Sequence, residues 1–578
     1  MQEKKGMPAQ NSDVASILQE FSDILEIEGA NQYRVRAYRT AAQAVRGLPH
    51  NVRTLVQQDQ DLTKFPGIGK EMALKIREIV NTGNLEALQK ARERVSPELV
   101  KLMYLQSLGP KRVKALNDKM GINSIQDLQQ AAEAGKIAQL PGFGTRTQAT
   151  ILKEIKRFQG KEVRFRIDEV EDIARTMVEH LSGIAGVQQV EAAGSFRRRK
   201  ETVGDLDILV TGNIPSELMQ AFVSHEDITE ILSHGETKSS VLLRNGLQVD
   251  LRFMEQKSFG AALHYFTGSK AHNIAVRKHA LQFGFKINEY GVFDDEEMVA
   301  GLTEEEVYAR IGLAYIEPEL REDRGELEAA AEGKLPKLIM IEDLRGDLHV
   351  HSKATDGRST LEELAVAARD FGYEYLGISD HTHNLSVVKG LDPERLALQM
   401  EEIDRINDKV SGIKLLKGSE VDILMDGSLD LPDWILKKLD YCICSVHTGF
   451  NLPRSAQTER ILRAMDNPWF RILGHPSGRL IGKREPYKVD LERIIAGARD
   501  RGCILELNSQ PDRLDLDDVH CKAAKEMGVK VAVTSDSHHK DGFYVIRYGV
   551  GQARRGWLEK EDVINTLPLK EFEQLMKR

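Results

Sequence analysis

The sequence predicts a chain of several domains: an α-helical amino-terminal part, an α+β middle, and a carboxy-terminal part in which short strands alternate with helices as a parallel sheet or barrel. Three observations predict this. Up to about residue 160, apolar residues recur at helical spacing and glycines separate short helices. Between 187 and 251, apolar runs read as strands, and two of them carry aspartates. From residue 345, seven short apolar strands each lead to a His, Asp or Glu.

Composition sets outer limits. With 578 residues, 41% of them apolar and 29% charged, the chain can build several cores. No apolar run is long enough to span a bilayer, and Met1–Ser12 lack the apolar core of a signal peptide, so a cytoplasmic protein with no membrane partner is expected. Cys442, Cys444, Cys503 and Cys521 lack metal-finger spacing and read as reduced core residues. The net charge of −9 is uneven: residues 1–160 hold 24 Lys/Arg against 17 Asp/Glu, whereas 161–343 hold 21 against 34. A basic amino-terminal part fits contact with a polyanion.

That basic part has helical spacing from Ile17 to Leu25 after the cap residues Asn11-Ser12-Asp13, and then three similar breaks. They are Phe65-Pro-Gly-Ile-Gly-Lys70, Leu108-Gly-Pro-Lys111 and Leu140-Pro-Gly-Phe-Gly-Thr145. Glycines let such a turn pass close to a partner, and the amides at the next helix start can donate to a backbone phosphate. The breaks resemble helix-hairpin-helix elements, and the resemblance implies DNA contact by Gly67, Gly69, Lys70, Gly109, Lys111, Gly142 and Gly144.

In the middle, a helix (170–181) and a strand (187–192) lead into Gly194-Ser195-Phe-Arg-Arg198, followed by Gly204-Asp205-Leu-Asp207-Ile-Leu-Val210. Asp205 and Asp207 alternate onto one face of a strand, and Asp250 ends a second apolar segment that can lie beside it. Three such carboxylates suit a pair of Mg²⁺ ions about 3.5–4 Å apart, the arrangement that clamps an in-line phosphoryl displacement. Gly194 and Ser195 offer amides and a hydroxyl to phosphates, with Arg197 and Arg198 close by.

This combination resembles the nucleotidyltransferase palm of family X DNA polymerases, the polymerase beta type. The resemblance extends to Tyr265-Phe266-Thr-Gly268-Ser269-Lys270-Ala-His-Asn273 and Arg277, which it implies as the segment that meets sugar, base edge and nascent pair of a deoxynucleoside triphosphate. It also aligns Lys75 with the lysine that forms a Schiff base with 5′-deoxyribose phosphate, although the neighbouring family lysine is Met72 here. Lys75 is therefore read either as a lyase nucleophile or as a phosphate-binding or solvated lysine.

In the carboxy-terminal part the strands lead to Asp347-Leu-His349-Val-His351 with Asp356 behind, Asp380-His381, Glu420, His447, His475, Glu506-Leu-Asn508, and Asp536-Ser-His538. Groups at successive strand ends gather around one rim. Imidazoles mixed with carboxylates suit Zn²⁺, Mn²⁺ or Fe²⁺ better than Mg²⁺, and His349, His351, Asp356, His381, Glu420, His447, His475, Asp536 and His538 suffice for two or three ions. This constellation resembles the PHP (polymerase and histidinol phosphatase) domain, a distorted (β/α)7 barrel, and implies phosphoester hydrolysis. The loop residues Arg479, Lys483 and Arg484 are candidates for contacts to DNA phosphates.

Taken together, the order of motifs resembles bacterial and archaeal PolX, family X DNA polymerases fused to a carboxy-terminal PHP domain. The resemblance implies 1–90 as an 8-kDa-like helix-hairpin-helix domain, 91–160 as a DNA-gripping subdomain and 161–255 as palm. It implies 256–318 as thumb, 319–343 as a linker with one exposed helix, and 344–578 as PHP domain. Implied with it are a monomer acting on gapped or nicked double-stranded DNA with deoxynucleoside triphosphates in base excision repair, and two Mg²⁺ in the palm. Two or three Mn²⁺ or Zn²⁺ in the PHP domain would serve a 3′–5′ exonuclease and apurinic/apyrimidinic endonuclease. Two alternatives stay open: a small-molecule nucleotidyltransferase fused to a PHP phosphatase, and a scaffold that binds DNA ends.

Overall fold

The computed structural model describes residues 11–577 except 47, 49–51, 66, 93, 96–98, 101, 106–107, 160–163 and 386–387. Pro66 of the first glycine turn, residues 1–10, and 160–163 of the charged segment before the palm lie outside the described residues. The chain divides into two units, 1–163 and 164–578.

The first unit is helical. Its helices include Asn11–Glu28, Gln32–Arg46, Lys70–Thr82, Pro110–Met120 and Gly144–Gln159. The three glycine turns share one arrangement. Their apolar residues Ile68, Leu108 and Phe143 are buried while Gly69, Gly109 and Gly144 stand exposed at helix starts. The buried side chain anchors each turn, so the amides of the following helix face outward. Gly67 needs to be glycine, since its φ is +86° and a Cβ would lie 2.9 Å from Thr40 Cγ2.

In the second unit, residues 187–253 form one five-stranded sheet in the order Val187–Ala192, Asp205–Gly212, Gln248–Phe253, Lys238–Leu243, Ile228–His234. The helix Ile167–Ser182 covers it through Val170, Ala174, Met177 and Leu181. The helix Phe259–Thr267 packs Phe259, Ala262 and Leu263 against Ala193, Leu209 and Met254, which seats the thumb on the palm. A three-stranded antiparallel sheet over residues 285–300 and the helix Glu304–Arg310 complete that subdomain.

The carboxy-terminal strands are parallel. Gly346–Asp347, Tyr375–Ile378 and Lys414–Lys417 pair in one sheet; Glu420–Asp422, Ile443–Ser445, Ile472–Leu473, Ile504–Asn508 and Val531–Thr534 pair in another. The third strand is broken at Gly418-Ser419, where a Cβ on Gly418 would meet Ile378 O at 2.6 Å. The last strand returns to the first: the His351 N–H donates to Ser537 O at 2.9 Å, and Asn565 bridges Gly346 O and Val533 O.

Residues 319–343 correct the linker reading. Leu320, Arg321, Glu326 and Ile339 are buried, and the six-residue helix Glu326–Ala331 buries Leu327 and Ala330. The acidic residues that read as solvated are paired with cations far away in sequence. Glu319 accepts from Arg554 at 2.7 Å, Glu326 lies 2.7 Å from His272, and Glu322 accepts from both Arg198 and Arg555 at 3.0 Å. Burial alone would raise the Glu322 carboxyl, but Arg555 and Arg198 hold it down at about 2.

A depressed folded-state pKa stabilises above the unfolded value of about 4.5 and loses that stability as pH falls towards 2. Glu322→Gln is therefore expected to lower the unfolding free energy near pH 7 by about 3 kcal/mol, because two buried arginines lose their shared partner. The difference from the parent protein should shrink between pH 4.5 and 2. Urea unfolding across that range checks it.

Candidate metal centres

In the palm, strand pairing places the carboxylates. Asp205–Gly212 and Gln248–Phe253 run parallel with Asp207 opposite Asp250. Asp205 and Asp207 lie on one face of their strand, so three carboxylates converge on one edge. Burial first, then the charges of Asp205 and Asp250, push Asp207 up to about 7. Gln248 Nε2 donates to Asp250 Oδ1 at 2.9 Å, and Lys238 Nζ lies 3.4 Å from Asp250 Oδ2. Gly194 abuts the cluster: a Cβ on it would lie 2.8 Å from Asp207 Oδ2, and its φ is +65°. A carboxylate forced to share space with two others suits divalent cations, which supply the missing positive charge.

The basic residues beside Gly194 differ from expectation. Arg197 forms two hydrogen bonds to Glu304, at 2.9 and 2.7 Å. Arg198, 9% exposed, donates to Glu322 and to Thr267 O. Both guanidinium groups are thus engaged in joining palm to thumb, Arg198 through its Nε and Nη1. In the Tyr265–Arg277 segment, Asn273 Nδ2 donates to Tyr265 O at 2.6 Å, closing the turn between two helices. Gly268 fits against it, since a Cβ would lie 2.4 Å from Asn273 Oδ1, an oxygen buried without a hydrogen bond. Ser269 caps the second helix by accepting from His272 N–H; Lys270 and Arg277 are exposed. The Phe266 ring lies under Arg252 at 4.3 Å.

Lys75 in the first unit pairs with Glu78 at 2.9 Å. That hydrogen bond raises its pKa, the opposite of what a Schiff-base amine needs.

The carboxy-terminal rim brings all nine candidate ligands together. Within 4.8 Å groupings fall His351, Asp356, His381 and His538; His349, His351 and Asp536; and His381, Glu420 and His447. His475 joins through Glu420 at 2.9 Å. Glu420, 1% exposed, is the hub, with oxygens 2.9 Å from His381, 3.2 Å from His447 and 3.4 Å from His349. His349 Nε2 and both His351 nitrogens are buried without a hydrogen bond. Asp536 Oδ1 lies 3.6 and 3.2 Å from the two Nε2 atoms. Two donors each about 2.1 Å from one ion sit roughly 3.0–3.5 Å apart, so the 3.6 and 3.2 Å spacings of Asp536 from His349 and His351 fit a shared ion better than direct hydrogen bonds.

Sequence reasoning missed the groups that hold these imidazoles. Glu506, fully buried, lies 2.5 Å from His349 Nδ1 and accepts from Thr534 Oγ1 at 2.6 Å and from the His475 N–H. Asp422 pairs with His447 Nδ1 and accepts from Asn384 at 2.6 Å. A carboxylate on one ring nitrogen fixes the tautomer and aims the other nitrogen inward. Asp422 was detectable, lying two residues beyond Glu420 on the same strand face, and Glu506 stood at the sixth strand end of the sequence without being counted among the ligands.

Comparison with known proteins agrees with this layout. Family models match for a helix-hairpin-helix domain over 9–85, a SAM-like helix-hairpin-helix tandem over 99–157 and the DNA polymerase beta palm over 164–277. The DNA polymerase beta thumb matches over 262–322 and the PHP domain over 347–510. Palm, thumb and PHP rim on one chain define a family X polymerase joined to a PHP domain. The DNA polymerase/3′-5′ exonuclease PolX of Bacillus subtilis (strain 168) is 37% identical over 570 residues, 98% of this chain and 99% of that protein, and the chain belongs to the PolX family. A probable phosphatase of Thermoanaerobacter sp. (strain X514) is 32% identical over 203 residues, 33% of this chain and 78% of its own length.

Two outcomes follow. Because Asp207 has a folded pKa above its unfolded value of 3.8, ionising it costs the metal-free fold stability as pH climbs towards 7. Asp207→Asn should stabilise metal-free protein at pH 8 by about 1–3 kcal/mol, seen as a higher melting temperature in EDTA, with little gain at pH 4. Glu506→Gln should weaken Mn²⁺ binding to metal-stripped protein about 10–100-fold in calorimetric titration.

Proposed function

We propose that this chain is a repair DNA polymerase that fills short gaps from the palm and trims 3′ ends from the PHP rim, with apurinic/apyrimidinic endonuclease activity at the same rim. The observation that carries the reading is the pairing of Asp207 with Asp250 against Gly194, on the same unit as a nine-ligand imidazole and carboxylate rim. Exposed glycine turns in the first unit supply amides for the DNA backbone.

In the palm, Asp205, Asp207 and Asp250 would hold two Mg²⁺, which neutralise triphosphate charge and acidify the primer 3′-hydroxyl. Asp250 would receive that hydroxyl's proton. Gly194 and Ser195 present amides and a hydroxyl to the phosphates, and the Tyr265–Asn273 turn presents backbone to the sugar. At the rim, the nine ligands would hold two or three Mn²⁺ or Zn²⁺, which make water a nucleophile at neutral pH. Lys75 is assigned a structural or phosphate-binding role. The protein acts as a monomer in the cytoplasm on gapped DNA, Mg²⁺ and deoxynucleoside triphosphates.

The likeness of residues in the rim part to a probable phosphatase favours one second reading, hydrolysis of small phosphate esters there. Inhibition of p-nitrophenyl phosphate hydrolysis by gapped DNA, with DNA degradation the faster reaction, supports the nuclease; indifference to DNA supports the phosphatase.

Asp205→Ala should reduce extension on a one-nucleotide gap by about 10²-fold or more while 3′–5′ degradation persists, and His349→Ala should do the reverse. Unchanged extension in the first variant sinks the palm assignment. Unchanged degradation in the second sinks the rim assignment.

A further inference from the structure

The cations on the loops above the rim have different occupations. Arg479 donates to Glu201 Oε2 at 2.6 Å, and Lys483 pairs with Asp512 at 3.3 Å. Arg484 donates to Gly478 O at 2.8 Å and lies over the Phe450 ring at 4.4 Å. Arg513 is placed otherwise. Its Nε is 3.7 Å from Asp536 Oδ2, the carboxylate whose other oxygen faces His349 and His351, and its side chain is 22% exposed. The Arg513 charge also acts on Arg484, which burial and that charge hold below the usual arginine range.

The loop carrying Arg513 is built to hold it there. Asn508 Nδ2 donates to Asp536 Oδ2 at 2.9 Å, and Gln510 Nε2 donates to Ser535 O at 2.8 Å and to Asp536 O at 2.9 Å. Leu514 adopts a φ of +41°, a left-handed conformation a leucine takes only when its surroundings impose it. Those surroundings include the palm. Leu514 is buried with Ile167, Val545 and Tyr548, and Phe196 and Ile481 pack against that cluster. Arg479 Nε donates to Arg513 O at 2.8 Å, and its Nη2 donates to Leu514 O as well as to Glu201. A palm carboxylate thus holds an arginine that grips the two carbonyls of the rim loop.

We propose that Arg513 is a substrate-binding residue of the hydrolytic site, taking the non-bridging oxygens of the scissile phosphodiester, and that Glu201, acting through Arg479, positions it. The inference rests on the assignment of 3′–5′ hydrolysis to the rim. A planar guanidinium at the edge of a ligand carboxylate matches phosphate geometry and meets any phosphate seated between His349, His351 and Asp536. As water attacks phosphorus, the new P–O bond forms and the P–O3′ bond breaks. Its electron pair goes to O3′, which is protonated with the proton released by water, leaving a 3′-hydroxyl and a nucleoside 5′-monophosphate. Charge grows on the phosphoryl oxygens, where Arg513 stabilises it.

The test uses the full chain loaded with Mn²⁺. Arg513→Ala should lower exonuclease kcat/KM about 10²-fold and weaken inhibition by deoxyadenosine 5′-monophosphate about 10-fold, with Mn²⁺ content and gap extension as in the parent. Arg513→Lys should recover part of both losses. Glu201→Gln should lower kcat and raise KM, each several-fold, and should add little to Arg513→Ala, the non-additivity of groups acting in series. The proposal is overturned if Arg513→Ala stays within about 3-fold of the parent in both readouts while His349→Ala abolishes degradation. Degradation that survives both substitutions overturns the rim assignment together with the proposal. Additive losses in the double variant remove Glu201 from the role.

Discussion

Like charges held close in a desolvated place are the constraint on which this structure turns. At the palm edge three carboxylates share a space so tight that a Cβ on Gly194 would collide with Asp207, and burial makes their mutual repulsion stronger than it would be in water. At the rim the opposite mixture, imidazole and carboxylate, leaves buried ring nitrogens without hydrogen bonds. The palm cluster is unfavourable as bare side chains, whereas at the rim imidazoles and carboxylates attract one another: against burial, Glu420 holds His381 up and is itself held down by it. Divalent cations would relieve the repulsion in the palm and occupy the bare ring nitrogens of the rim, so it is the palm cluster that opposes folding in the absence of metal.

The fold meets this by keeping each acidic concentration on rigid strand pairing. In the palm the register of two parallel strands sets which carboxylates face each other. At the rim the third strand is interrupted, and Glu420 begins a new segment bridged to His381 instead of ending a continuous strand. That break lets one carboxylate reach five imidazoles, and it separates the two sheets. Burial would raise Glu420, but His381, His447 and His349 hold it well below the usual carboxylate range, so it stays an anion available to a cation.

Much of this was legible in the sequence, for a reason that differs between elements. Asp205-x-Asp207 and His349-x-His351 encode shared faces by period two, and the seven strand ends encode a rim by topology. The glycine turns were marked by their repeated apolar and glycine spacing, and the structure adds that Ile68, Leu108 and Phe143 are their buried anchors. What could not be read were partnerships across long separations. Glu322 looks like part of a solvated acidic run until Arg198 and Arg555 are placed beside it, 124 and 233 residues away. Arg198 looks like a phosphate ligand until Glu322 occupies it. Local pattern reports period and propensity, and carries no record of which distant cation a carboxylate will meet.

Those distant partnerships also explain why palm and rim belong to one unit. Phe196, Arg198 and Glu201 follow directly on the Gly194-Ser195 turn, and all three engage residues in the carboxy-terminal part: Phe196 at the Leu514 cluster, Arg198 through Glu322 to Arg555, Glu201 at Arg479. A short palm segment therefore has the carboxylate cluster at its start and the rim loops at its end. Within unit 164–578 a displacement of that segment has to disturb buried ion pairs, whose separation leaves uncompensated charge. The two sites are accordingly fixed with respect to each other by the same residues that build the first, and a packed 319–343 segment, in place of a loose tether, is what such a junction requires.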